Sequence, residues 1–295
     1  MAREAAPPAV SRAAAADGWR RLARSWWGSP LNVVGSVIVL GLVAVAAAAP
    51  LIAPYDPLQQ ALGERLQPPS ARHWFGTDQF GRDIFSRVVW GTRIELQVIL
   101  IVSLLSSTLG TAVGLVSGYF GGWVDEALMR VTDVFLAFPS LVLAMAFAAA
   151  LGPSLPNMIL AIAVVTWTPY ARLVRGETLR LKTMEFVEAA RAAGAPTWRI
   201  LVHHILPQTL PVVLVQVTLR MGTVILTAAG LGFLGLGAQP PAPEWGAMVS
   251  DGRNYLVDQW WMSTLPGLAI ALTVLGFNLL GDGVRDLTDP RLRRR

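Results

Sequence analysis

The chain has 295 residues, 54% of them hydrophobic and 15% charged, with a mean hydropathy of +0.51; ordinary soluble domains carry about 25% charged residues. Too few charges remain to coat a soluble surface, so the composition defines an integral membrane protein. Cysteine is absent and there are only three histidines, His73, His203 and His204. That excludes disulfide frameworks, thiolate-ligated zinc and iron–sulfur clusters, and no metal site is expected.

A helix needs about 20 apolar residues to cross the hydrocarbon of a bilayer. Six stretches meet or approach that length: Leu31–Ala53, Leu96–Val116, Val134–Leu151, Leu155–Ala171, Leu210–Leu236 and Ser263–Gly281. The fold class expected is therefore all-α, a polytopic membrane protein with six transmembrane helices. The first stretch is too long, and too far from the N-terminus, for a cleavable signal. Trp26 and Trp27 precede it, as interfacial anchors do.

The net charge of +5 comes from 23 Arg and a single Lys against 19 acids. Placing the N-terminus in the cytoplasm puts 17 basic residues in the inside segments and 6 in the outside ones, with Arg220 left within the fifth stretch. The positive-inside rule then sets both termini in the cytoplasm. The basic balance reports topology, so it gives no support for nucleic acid as a partner. Residues 1–28 form an Ala-, Pro- and Arg-rich tail and 283–295 a basic one. Residues 29–57 carry the first span, 58–92 an outside loop and 93–282 the remaining five spans. A second outside loop, Ala238–Met262, holds three prolines and three tryptophans.

Chemistry of the enzymatic kind is missing. The stretch nearest to a phosphate-binding loop runs from Gly176 to Lys182-Thr183, but Leu181 stands where the second glycine belongs and no strand precedes it. No zinc-protease or nucleophile-elbow motif occurs, so no catalytic residue is assigned. Arg220 is the one ionisable group within a span. Such a charge costs about 2.5–3.5 kcal/mol at a helix centre on insertion scales. It either snorkels to an interface or faces a polar pathway.

The segment between the fourth and fifth spans, about 177–207, carries the signal. Thr178–Ala193 is rich in helix formers. Gly194 suits the left-handed position past a helix end, and Pro196 suits the first turn of a new helix, with Thr197 and Trp198 following. Two short helices are expected, joined at a sharp corner, with Pro207 ending the second. Ala189, Ala190, Ala192 and Ala193 give a low-profile face. Glu188 falls near the end of the first helix, where the dipole disfavours it, so it needs a partner such as Arg191 or a group on another protein.

Glu188-Ala189-Ala190, Gly194 and Leu206-Pro207 together resemble the EAA loop of permease subunits in binding-protein-dependent ABC importers, departing from it at His204. Three further segments sharpen the resemblance. Gly76-Thr77-Asp78, with Gly81-Arg82-Asp83, looks like the stretch before the second span of peptide/nickel-type permeases. Ser29 to Pro57 looks like their N-terminal extension. Asn278, Gly281, Asp282, Arg285 and Asp286 look like their C-terminal signature. The chain is thus similar to the C-type permeases of the dipeptide/oligopeptide/nickel group from about residue 28 to 290.

That resemblance implies a type I ABC importer permease in a bacterial or archaeal cytoplasmic membrane, itself non-catalytic. A second homologous permease would share the pathway for di- or oligopeptides, or for a related solute such as chelated nickel. Two cytoplasmic ATPases, holding the ATP and magnesium, would engage Glu188 to Trp198, and an extracytoplasmic binding protein would deliver substrate. The alternative class is a six-span secondary carrier working alone, for which Arg220 is the one coupling residue on offer.

Overall fold

The computed structural model describes residues 26–288. The tail through residue 25, with Arg3, Arg12, Arg20, Arg21 and Arg24, and the basic C-terminus from residue 289 lie outside the described residues. No strand occurs among the described residues; an isolated bridge joins Thr77 and Asp83. The helices are α1 (Pro30–Ile52), α2 (Ile84–Phe120), α3 (Gly122–Leu136), α4 (Ser140–Leu151) and α5 (Leu155–Leu181). Then follow α6 (Glu185–Ala192), α7 (Thr197–Phe233), α8 (Trp245–Gly252) and α9 (Trp261–Thr288). Five of them, α1, α2, α5, α7 and α9, are long and apolar enough to cross a membrane, and the bent pair α3–α4 makes a sixth span if counted as one.

Several boundaries differ from expectation, each for a physical reason. The outside loop expected over 58–92 ends at Asp83, because Asp83 caps α2: its carboxylate accepts from the Ser86 backbone N–H and hydroxyl, both at 2.7 Å. Arg87, Arg93 and Glu95 therefore lie inside a helix. The expected span Val134–Leu151 is two helices meeting at 92°. The break falls at Phe138-Pro139, since a residue before proline avoids the helical region. The fourth span continues past Ala171 to Leu181. Its charges are absorbed by α3: Arg175 grips Asp125 with two bonds of 2.6 Å, and Arg172 reaches Asp133 at 2.6 Å.

The helices approach closely where side chains are small. Gly110, Gly114 and Gly118 lie four residues apart on the α2 face that meets α5. A methyl group at Gly110 would sit 2.4 Å from the Trp167 carbonyl oxygen, and one at Gly114 2.6 Å from that of Ala171. Such spacing lets two backbones touch, which is what holds helices together where lipid is as apolar as leucine. Val98, Val102, Met158, Ile162, Ala228 and Leu231 fill the centre between α2, α5 and α7. On the other flank, α9 packs against α7 and α1, with Gly281 against the Leu219 backbone.

α1 and α2 are joined by a polar device inside this apolar setting. Pro50 has no N–H, so the Ala46 carbonyl loses its helical partner. Arg93 of α2 supplies one: its Nε donates to Ala46 O at 2.5 Å and an Nη to Ala47 O at 3.1 Å. The guanidinium also lies over the Trp90 ring, 4.7 Å from its centroid.

Candidate functional site

The candidate site is the corner between α5 and α7. Thr178–Ala193 is not one helix, as its propensity suggests. α5 stops at Leu181, the chain turns through Lys182–Met184, and α6 begins at Glu185. Lys182 draws the turn onto the bundle: its Nζ donates to the Gly118 carbonyl at the end of α2, 2.8 Å away. The Gly176–Thr183 stretch is thus largely helix and offers no phosphate cradle.

α6 rests on the bundle through one stripe. Val187 is fully buried, against Leu181, Ile200 and Ile205, with Ala190 and Ala195 packed beside it. Glu188, Ala189, Arg191 and Ala192 are exposed. The helix closes with a Schellman turn. Gly194, at φ +77°, donates to Arg191 O at 3.0 Å, and Ala195 donates to Ala190 O at 3.0 Å. Only glycine takes that φ without strain, yet a side chain there would meet nothing within 4 Å. The demand at Gly194 is therefore on the backbone alone.

Pro196 starts the next helix, as expected, but Pro207 does not end it. α7 runs unbroken from Thr197 to Phe233 because Ile200–Ile205 forms a wide π-turn, with Leu206 N–H reaching back to Leu201 O. The extra residue in that turn carries the chain past Pro207. The expectation of a separate second helix is corrected accordingly: the corner is coupled directly to a membrane-spanning helix. Trp198, Thr197 and Pro196 stand exposed at its start.

Glu188 is also placed differently. In an eight-residue helix beginning at Glu185 it lies in the first turn, where the dipole favours an anion. Arg191 does not pair with it. The Arg191 guanidinium lies over the Tyr119 ring, 5.9 Å from the centroid. Glu188 projects from the bundle with no ion pair among the described residues.

The Gly76–Asp83 motif lies at the other end of the bundle and is buried. Asp78 accepts from the backbone N–H of Phe80 and Arg82, and from Arg82 Nε at 2.5 Å. Arg87 stands 3.8 Å from Asp78 and donates to the carbonyls of Pro57 and Pro241. Thr77 Oγ1 bridges Glu64 O and Gln67 N–H, and His73 meets Asp83 at 2.9 Å. Gly76 and Gly81 turn with φ of +74° and +73°. The motif is a folded cap on α2 and does not join the corner. Of the C-terminal signature, Asn278 packs against Gly222, Gly281 against α7, and Asp282, Arg285 and Asp286 are exposed on α9.

Sequence reasoning missed Glu95 and Glu244, both 1% exposed. Glu244 caps α8, accepting from Gly246 and Ala247 N–H at 2.8 and 2.7 Å, and it faces Glu95 with no basic side chain paired to either among the described residues. Burial pushes the Glu244 carboxyl above its ordinary value, against the pull of those two N–H groups. Glutamate is not among the usual N-cap residues, so no local signal marks Glu244.

Helices of spanning length, a span broken at proline and a corner helix joined to α7 define a polytopic membrane protein. Comparison with known proteins narrows the class. Residues 110–294 match the family described as binding-protein-dependent transport system inner membrane component, and 15–69 match the N-terminal TM domain of oligopeptide transport permease C. The chain belongs to this inner-membrane transport family. It is 46% identical to the dipeptide transport system permease protein DppC of Alkalihalophilus pseudofirmus, over 97% of this chain and 94% of that one. It is 50% identical to the probable D,D-dipeptide transport system permease protein DdpC of Escherichia coli, over 90% and 89%. The glutathione transport system permease protein GsiD of Pectobacterium atrosepticum is 45% identical, over 93% and 92%. A chain of the inward-facing MetNI methionine ABC transporter shares the fold with a TM-score of 0.53 at 22% identity, over 69% of this chain and 97% of that one.

Proposed function

We propose that this permease subunit pairs with a second, homologous permease around a pathway for dipeptides or similarly small peptides. In this reading two ATPase subunits, which hold the ATP and magnesium, each engage a corner of the kind built by α6 and Gly194, one on each permease. A binding protein delivers substrate at the Trp245 end. Both chain termini then lie in the cytoplasm, on the α6 side. The peptide substrate follows from the chemistry named for the relatives: dipeptides, D,D-dipeptides and glutathione.

The observation that carries the reading is the build of the corner. α6 exposes Glu188, Ala189 and Arg191 while Val187 anchors it, and the chain leaves Gly194 straight into a spanning helix. A push on α6 is thereby transmitted to α7 through about 55 Å of continuous helix at 1.5 Å per residue. The native chain has no cysteine, so single-cysteine variants give clean tests. Cysteine at Ala189 should cross-link to a cysteine on the ATPase surface, and cysteine at Val257, 93% exposed at the opposite end, should react with an impermeant thiol reagent added outside intact cells. Cysteine at Thr197 should not react from outside. The reverse labelling pattern, or no cross-link at Ala189, removes this assignment.

A further inference from the structure

Arg220 stands midway along the part of α7 from Leu206 to Phe233. An end-snorkelling arginine would lie within a turn or so of a helix end, and this one does not. Its Nε is buried without a hydrogen-bond partner, and no carboxylate pairs with it among the described residues. The group with which it interacts electrostatically is the Tyr170 hydroxyl. Tyr170 lies near the middle of α5, against Gly110 of α2 and in one cluster with Val213 and Val217 of α7; Ser106, a turn before Gly110, donates to the Val102 carbonyl at 2.7 Å. Ser103, a turn earlier on α2, has its hydroxyl buried and unpartnered.

Three helix centres thus converge on one mid-depth cluster made of a guanidinium and hydroxyls. A cation in apolar surroundings is tolerated when something neutralises it. Among the described residues no anion pairs with it, and Arg220 as a residue is half-buried. A fork of N–H donors matches a carboxylate in a planar, two-bond geometry. Every peptide with a free C-terminus carries that group.

We propose that Arg220, with Tyr170 behind it, forms a transient mid-membrane subsite for the carboxylate of a peptide passing between the two permeases. The inference rests on the peptide-permease reading and adds the group of the substrate that is recognised. Because the carboxylate must also leave, the subsite is expected to act on passage more than on resting affinity. Substrate selection by the binding protein is left untouched.

The absence of native cysteine provides the test. Arg220→Cys is assembled with its partner subunits in proteoliposomes, and uptake of alanyl-alanine and of glutathione is followed at saturating binding protein. Uptake is expected to fall at least tenfold. Aminoethyl methanethiosulfonate, which adds a cationic N–H donor, should label the cysteine and restore a substantial part of the uptake; a sulfonate-bearing reagent should label it and restore none. Arg220→Lys, which keeps the charge and loses the fork, is expected to keep part of the uptake, which guards against loss by misfolding alone. If the cysteine is unreactive in resting and ATP-driven states, the position is not in the pathway and the proposal fails. It fails equally if both adducts restore uptake or neither does. Gly194→Val run in parallel separates the two ideas: its loss of uptake with normal Arg220→Cys transport overturns the subsite and leaves the importer reading standing. Uptake of neither probe by the wild-type complex overturns the peptide reading, and the carboxylate subsite falls with it.

Discussion

The two ends of the bundle are built on opposite principles. At the Trp245 end, apart from the Glu95–Glu244 carboxyls, the buried charges are tied. Asp78, Asp83, Arg82, Arg87 and His73 are all nearly inaccessible, and each has a partner. Trp245 and Trp261 donate their indole N–H groups to the carbonyls of Val88 and Thr77. At the α6 end, Glu188, Arg191, Arg199 and Trp198 are exposed, and a single glycine turn and one buried valine fix the geometry. A network of satisfied buried charges resists rearrangement, because every member must find a new partner. An exposed helix on a short turn can be gripped and moved. The difference teaches that one end is tied into a rim and the other left open to contact, as the proposed handle requires.

The largest effect on stability is expected at the rim. Asp78→Ala takes the nearest carboxylate from two buried guanidiniums and leaves only the half-exposed Asp251, 3.8 Å from Arg82, a loss of about 3 kcal/mol. Unfolding in mixed micelles should show it, with Asp78→Asn costing less because the turn bonds to Phe80 and Arg82 N–H survive. If Asp78→Ala unfolds like the wild type, the rim is not held by charge and the contrast collapses.

Next comes the clamp between α1 and α2. Arg93→Leu removes the partner of the carbonyl that Pro50 orphans, and a buried acceptor left unmade costs about 1–3 kcal/mol. The double variant Pro50→Ala, Arg93→Leu should recover most of that, since the helix then satisfies Ala46 O itself. Absence of recovery would mean that Arg93 acts through Trp90 rather than through the carbonyl.

How much of this was legible beforehand follows from what each residue type announces. Apolar length revealed the spans, and Gly194 and Pro196 announced the corner, because both act locally through their own φ. Boundaries failed where a distant partner absorbs a charge. Arg93, Arg172 and Arg175 count as loop residues by charge alone, yet a carbonyl of α1 and two aspartates of α3 hold them within helices. The Gly110-Gly114-Gly118 stripe is visible at four-residue spacing, but spacing alone does not say which helix it meets. Pro207 misled because nothing in the sequence announces the π-turn that carries the chain past it. The cap on α2 and the Glu95–Glu244 pair depend on residues far apart in sequence, which no local pattern brings together.

At the handle, Gly194→Ala forces a side chain into the left-handed region at about 1–2 kcal/mol. The space around it is open, so the cost should be strain alone, and Gly194→Asn should cost less because asparagine visits that region more readily. A clash-type loss that grows with side-chain volume would contradict the open corner.

A weaker effect, seen through pH, is expected back at the rim. Glu244 has a folded value raised above the ordinary 4.5. Its contribution to stability is complete below that value and is lost as pH rises through the folded one. The midpoint of thermal unfolding should therefore drift down from mildly acidic to alkaline pH, and Glu244→Gln should flatten that drift. An unchanged slope would show that the carboxyl titrates without affecting the rim.

The smallest expected change in stability belongs to Glu188, and there the contrast between rim and handle is sharpest. Its side chain is exposed, pairs with nothing among the described residues and sits where the helix dipole mildly favours it. Glu188→Ala should shift unfolding by no more than about 0.5 kcal/mol, as surface changes do. If α6 is the handle, however, this anion faces a basic group on the ATPase, and its removal should lower ATP-driven uptake several-fold in reconstituted complexes while the isolated subunit stays as stable as before. Glu188→Lys should be worse than alanine, because like charges then meet across the contact. A charge reversal on the ATPase side that restores uptake would identify the partner. Should Glu188→Ala and Glu188→Lys both transport at the wild-type rate, the exposed charge plays no part in gripping α6, and the handle would have to be held by Val187, Ala189 and the backbone turn at Gly194.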